Sequence, residues 1–110
     1  KGRELALLIY KTTKKFPKEE TFGLSSQMRR CSISITSNLA EGSRRKSFKD
    51  KARFSEIAYS SSLELLNQVI LSNDFEYIDE INYLSLREKI AEVNMLIDGL
   101  YISQIKNLEH

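Results

Sequence analysis

The chain has 110 residues, with 17 Lys and Arg against 15 Asp and Glu, one proline, four glycines, one cysteine and no tryptophan. Its length is near the common size of a unit with a single hydrophobic core, so we expect one domain over residues 1–110. The single cysteine, Cys31, excludes an intrachain disulfide, and with only His110 as a further soft ligand it excludes a zinc cluster.

No apolar run approaches the ~20 residues that span a bilayer, and no signal-peptide pattern opens the chain. Together with the cysteine usage this makes a reducing, cytoplasmic setting the expectation. The first residue is Lys1 rather than Met, so further residues are expected before it, and Leu108-Glu109-His110 reads as a vector-derived tail. Net charge is only +2 but unevenly spread: residues 1–55 carry 14 Lys and Arg against 5 acids, residues 56–110 carry 3 against 10. That division suits either an anionic partner for the basic half or self-association of unlike faces.

In chain order, residues 2–15 predict a first helix, with Leu5, Leu8, Ile9, Thr12 and Phe16 at helical spacing and Pro17 as its stop. Residues 17–23 form a connector in which Phe22 is expected to pack back on the bundle and Gly23 to permit a tight turn, with Ser25 as the next N-cap. A second helix over about 26–41 has an apolar stripe of Leu24, Met28, Cys31, Ile35 and Leu39 beside a polar one of Gln27, Arg30, Ser34, Asn38 and Glu41. Its small residues suit close packing, and Gly42 reads as a left-handed C-cap.

Ser47 reads as the N-cap of a third helix, with Asp50 three residues on. Two adjacent apolar arcs follow: Phe54, Ile57, Ala58, Leu65 and Val69, then Phe48, Ala52, Tyr59, Leu63, Leu66 and Ile70. They cover more of the circumference than a monomeric bundle needs, which predicts an oligomer interface. Asn73-Asp74 ends this helix and Asp79 is the candidate N-cap of a fourth, running to about 106. Its stripe is Leu86, Ile90, Val93, Ile97 and Leu100, with Leu84, Ala91, Met95 and Ile102 on a second face and Gly99 as a tolerated interior glycine or a point of close helix contact. Short connections make the expected architecture an all-α, antiparallel up-down-up-down four-helix bundle.

Chemistry is sparse. Without an internal histidine, Ser-His and Cys-His arrangements are unavailable, and glycine-rich phosphate loops, two-His zinc motifs and Glu-x-x-His pairs are absent. We expect no catalysis, no cofactor, no metal, no small-molecule substrate and no membrane partner, and an inert, buried Cys31.

An antiparallel hairpin turning near residue 44 would bring Arg30 towards Glu64, with Gln27, Asn38 and Gln68 completing a polar network. We read that network as fixing register between the two helices rather than lining a pocket. The basic run Arg44-Arg45-Lys46, with Lys49 after it and Arg29 before it, is the best candidate binding site. Exposed cations of this kind hold a phosphate backbone by counterion release.

The segments FPKEETFGLSSQMRR (16–30), SITSNLAEGSRRKS (34–47) and FSEIAYSSSLELLNQV (54–69) resemble the bacterial four-helix-bundle proteins encoded within intervening sequences of 23S ribosomal RNA genes, some of them labelled ribosomal proteins. The usual SIPSNIAEG of that family stands here as SITSNLAEG, with Thr36 in place of a proline, and its usual Gly-Ser stands as Ser60-Ser61. The resemblance implies a homopentameric barrel. A related branch, the accessory variability proteins of diversity-generating retroelements, implies RNA or DNA as a partner for basic surfaces at positions matching Arg29, Arg30, Arg44, Arg45 and Lys46. A protein-interaction scaffold without a nucleic-acid ligand is the alternative.

Overall fold

The computed structural model describes residues 1–108; Glu109 and His110, part of the expected vector-derived tail, lie outside the described residues. Four helices follow one another: α1 (Gly2–Thr13), α2 (Leu24–Ser43), α3 (Phe48–Asp74) and α4 (Glu80–Leu108), with one turn of 3-10 helix at Lys18–Glu20. Each packs antiparallel on the next, and α1 also touches α4, giving the expected up-down arrangement. Leu5, Ile9, Met28, Ile35, Leu65, Val69, Leu86, Ile90, Val93 and Ile97 form the fully closed part of the core. No described helix is long and apolar enough to cross a membrane.

The first helix ends two residues earlier than its periodicity suggests. The Lys15 and Phe16 N–H groups bond to Thr12 and Thr13 carbonyls, three residues back, so the last turn tightens before Pro17 removes the next donor. At only 12 residues, α1 covers half of α2: Gly2 lies level with Thr36 and Thr13 level with Arg29. Beyond Thr36 the molecule is a three-helix structure, and the α2–α3 turn sits at that end.

Helix starts are set by side chains. Ser47 accepts from the Asp50 N–H at 3.1 Å, and Asp79 accepts from the Asn82 N–H at 2.8 Å, as the sequence predicts for both caps. Ser25 is different: it lies buried inside α2, whose N-cap is Gly23. Glu20 does the capping instead, one carboxylate oxygen accepting from the Leu24 N–H at 3.3 Å and the other from the Tyr77 hydroxyl at 3.0 Å. Gly23 matters here through space, since a Cβ would stand 2.9 Å from Oε1 of Glu20, the oxygen that caps Leu24. Phe22 does not pack back; it is 95% exposed, because the 3-10 turn points it outward while Phe16 fills the site under Tyr77.

Gly42 is not a left-handed cap either. No glycine has positive φ, and α2 runs through Gly42 to Ser43. Its role is close approach: a Cβ there would lie 2.9 Å from Cβ of Phe54 on α3. The helix that does end left-handed is α3, where Glu76 takes φ 64° while the Tyr77 N–H bonds the Ser72 carbonyl and the Glu76 N–H bonds that of Asn73. Gly99 has open space around it, so it is no contact point within this chain.

The third helix departs most from its sequence pattern. Its inward line is Ser55, Ala58, Ser62, Leu65, Val69 and Ser72, at alternating three- and four-residue steps, with Ala52 and Gln68 also buried. Ala58, Leu65 and Val69 of the first arc and Ala52 of the second are buried as expected, while Ile57, Tyr59 and Leu63 are exposed and Phe54, Leu66 and Ile70 half-buried, so the remaining arc members flank the buried line. The reason is distance: small residues let α2 and α4 close on α3, leaving the larger side chains at the edges.

Two glycine substitutions separate these mechanisms. Gly42→Ala is expected to destabilise by about 1–3 kcal/mol despite alanine's better helix propensity, because Cβ of Phe54 cannot swing away. Glu76→Gly is expected to stabilise by about 0.5–1 kcal/mol by relieving a left-handed non-glycine residue. Urea unfolding followed by circular dichroism measures both, and the same sign for the two would refute the assignment.

Candidate nucleic-acid interface

The α2–α3 connection is four residues, Arg44 to Ser47, between a helix closed by Gly42 on Phe54 and one opened by the Ser47 cap. Arg44 is αR, its N–H returning to the Glu41 carbonyl at 3.2 Å, and the Arg45 N–H returns to that of Gly42 at 3.2 Å. The turn is therefore fixed in shape by backbone bonds on one side and a cap on the other. Its side chains project into solvent: Arg44, Arg45, Lys46 and Lys49 are all exposed.

These cations do not have one role. Arg45 lies over the Phe54 ring at 4.9 Å and pairs with Glu41 at 3.0 Å. That double engagement ties the turn to both helices. Among the described residues Arg44, Lys46, Lys49 and Arg53 have no acidic partner within 4.0 Å, which leaves them available to an external anion. Arg29 belongs elsewhere: fifteen residues up α2, it is about 22 Å away along the helix axis. There its Nε donates to Thr13 Oγ1 at 2.8 Å and its guanidinium covers the Tyr10 ring at 4.8 Å, pinning α1 to α2.

Of the residues expected to form the register network, Asn38, Glu64 and Gln68 stand near the α2–α3 seam, whereas Gln27 and Arg30 take no part in it. Gln27, Arg30 and Glu64 are exposed, and Arg30 makes no ion pair with Glu64 among the described residues. Cys31 takes the place opposite Glu64, its Sγ 3.6 Å from a carboxylate oxygen, which turns Arg30 about 100° away along the helix. Asn38 donates to the Ser34 carbonyl at 2.8 Å and hydroxyl at 3.1 Å, and Ser34 bonds Ser61 across the interface at 2.9 Å. Gln68 is buried near this seam, its Oε1 without a protein partner among the described residues.

The α3–α4 side carries three further polar links that the residue pattern does not announce: the Tyr101 hydroxyl donates to Glu56 at 2.9 Å at the surface, and two serines of α3 bond α4 inside. Ser55 donates to Gln104 at 2.7 Å, and Ser62 donates to Asn94. Their sequence signal is the seven-residue step from Ser55 to Ser62, continued by Val69 on the same line. Thr36, standing where the resembling family has proline, donates to the Ile33 carbonyl at 2.9 Å, and α2 runs unbroken past it.

Burial pushes the Cys31 thiol above its ordinary value, and the neighbouring Glu64 carboxylate adds to that against a lowering contact from Gln68. A raised thiol is a poor nucleophile, in keeping with an inert core cysteine. Hydrogen bonds to Glu20 and Glu56 raise Tyr77 and Tyr101 in the same way.

The fold defines an all-α protein of four sequentially packed helices. The family model described as 23S rRNA-intervening sequence protein matches residues 1–99, so the chain belongs to that family. It is similar to a crystal structure of a protein of unknown function from the S23 ribosomal protein family of Bacteroides thetaiotaomicron, at 26% identity and a TM-score of 0.81. The match covers 91% of this chain and 94% of that one. No curated protein sequence matches.

A group raised in the folded state adds stability that is complete below its ordinary pKa and lost as pH rises through the folded value. The Cys31 contribution to unfolding free energy is therefore expected to be constant up to about pH 9, the ordinary thiol value, and to fall above it. Cys31→Ala should remove the onset of that fall, while Tyr101→Phe should change the slope of the profile only near pH 10 and above. Denaturant titrations across this range decide it; an unchanged Cys31→Ala profile would refute the assignment.

Proposed function

We propose that the protein is a non-enzymatic, homo-oligomeric helical protein that binds RNA or DNA through the basic α2–α3 turn. The observation that carries this reading is the set of exposed cations without acidic partners among the described residues, Arg44 and Lys46 on a turn of fixed shape and Lys49 and Arg53 on the start of α3 beside it. Phosphate contacts by such residues need no sequence reading and weaken as salt rises. The family's description, which refers to 23S rRNA, agrees with such a ligand.

Self-association is supported by a second surface. Tyr59 of α3 and Asp98 of α4 line one cleft, which places the arc Tyr59, Leu63, Leu66, Ile70 and the arc Leu84, Ala91, Met95, Ile102 on the same flank. Met95 is 76% exposed and Leu84 58%. An apolar flank of this extent suits a second copy, and the basic first half and acidic second half suit unlike faces meeting, the arrangement that closes into rings. A pentamer is the favoured ring, on the strength of the sequence resemblance. Repetition of the turn around a ring would multiply its phosphate contacts.

Light scattering and a salt-dependent mobility shift with structured ribosomal RNA test the two parts. Light scattering should give a mass of several subunits, reduced by Met95→Lys with Leu63→Lys; a monomer would remove the assembly. In the mobility shift, reversing Arg44, Lys46 and Lys49 to Glu should abolish binding. Changing the three to Ala should make the slope of log affinity against log salt shallower by about 2–3. Arg45→Ala should act mainly on stability, by under about 1 kcal/mol. Binding that survives the charge reversal would refute the site.

A further inference from the structure

Phe48 is the first residue of α3, directly after the capping Ser47, and it is 42% exposed. It is neither a member of the core cluster nor packed against it. The cap does not need it either, since Ser47 and the Asp50 N–H complete that bond between themselves. A phenylalanine left two-fifths exposed beside a turn forgoes a substantial part of the transfer energy its burial would give. Its surroundings are cationic: Lys46 and Lys49 flank it in the chain, Arg44 lies four residues before it, and the Lys51 ammonium stands 5.9 Å from its ring centroid.

Phe54, the other aromatic near the turn, shows what a structural ring does here: it is half-buried, meets Gly42, and has its ring covered by Arg45. Phe48 has no such employment. The other strongly exposed phenylalanines, Phe22 and Phe75, lie by the two connectors at the opposite end of the bundle.

We infer that Phe48 is a stacking platform for an unpaired base, so that the basic turn takes single-stranded nucleic acid in preference to duplex. This rests on the nucleic-acid reading above and narrows it. Cations alone do not distinguish strands, because both duplex and single strand present phosphates. In a duplex the base faces are occupied by neighbouring base pairs, whereas an unpaired base offers its face to an aromatic side chain. Stacking on a ring is tolerant of sequence, since every base has a π-face, and cations beside the ring hold the flanking phosphates. Lys51, its ammonium 5.9 Å from the ring centroid, is one of those cations.

Fluorescence anisotropy with the full chain tests the inference on strands of about 12 nucleotides: oligouridylate, oligothymidylate, an abasic deoxyribose-phosphate strand, and blunt DNA and RNA duplexes. The expected result is binding to the base-bearing single strands about 5- to 100-fold tighter than to the abasic strand. Phe48→Ala should erase that difference while leaving abasic and duplex affinities and the salt slope unchanged, and Phe48→Trp should retain it. The two sugar arms show whether RNA, DNA or both are taken.

Several outcomes overturn it: Phe48→Ala weakening every probe equally, the preference surviving in that variant or in Phe48→Leu, or Phe48→Ala lowering the mass in light scattering, which would mean that a second copy covers the ring. If the unmodified chain binds abasic strand, duplex and single strand equally, this inference falls and the nucleic-acid reading stands. If it binds none of them at about 50 mM salt, both fall.

Discussion

The structure depends on how closely α2 and α4 approach α3. The inward line of α3 is narrow and partly hydroxylated, and a buried hydroxyl must find a partner. Ser55 finds Gln104, Ser62 finds Asn94, and Ser72 turns back to the Gln68 carbonyl. On the other side Ser61 meets Ser34. A shift of α4 by one residue would break the first two pairs together and leave the Gln104 and Asn94 amides without these partners, at about 1–3 kcal/mol for each unsatisfied group, while Ser62 keeps the Tyr59 carbonyl at 2.7 Å. The hydroxyls add little net stability in their proper places, but they penalise every other register, so the helices have one alignment rather than several.

That alignment determines the basic turn. Gly42 meets Phe54 only if α2 and α3 are in this register, and Phe54 then offers its ring to Arg45. With Arg45 held by that ring and by Glu41, the chain between the helices has one path, and the neighbouring cations are spread into solvent along it. The shortness of α1 contributes as well, because it leaves the turn at the end where only three helices pack. The molecule is 50 Å long and 24 by 18 Å across, so this end is well separated from the Arg29 end and its α1–α2 contacts. Like charges that would repel at close range are thus divided between two ends.

Much of this was legible in the residues. Helix number and order followed from hydrophobic periodicity and the scarcity of proline and glycine, and the Ser47 and Asp79 caps from residue type and spacing. What was not legible depended on through-space distance. Gly42 past an apolar run reads as a terminator, and only the approach of α3 shows it to be a contact. Ser25 suits a cap by type, yet Glu20 reaches the same end of the helix from four residues upstream. For Arg30 and Glu64 complementary charge suggested a pair, but a rotation of about 100° per residue was enough to put Cys31 in the place instead. The cations at the turn were recognisable as a group, whereas the fixed role of Arg45 needed the Phe54 ring beside it.

The same geometry accounts for the apolar flanks. A helix whose buried line is serine, alanine and two larger aliphatics supplies little apolar area to its own core, and the larger side chains of α3 stand on either side of that line. Those side chains cannot turn inward without forcing the helices apart and unpairing the hydroxyls. The close packing that specifies the monomer therefore leaves Leu63 on α3, and Met95 and Leu84 on α4, exposed to water. Covering them requires a surface from outside the chain, and the proposed self-association supplies one without disturbing the interior. Fold specificity and the exposed apolar flanks are thus two results of one choice, small residues on the inside of α3 and large ones at its edges.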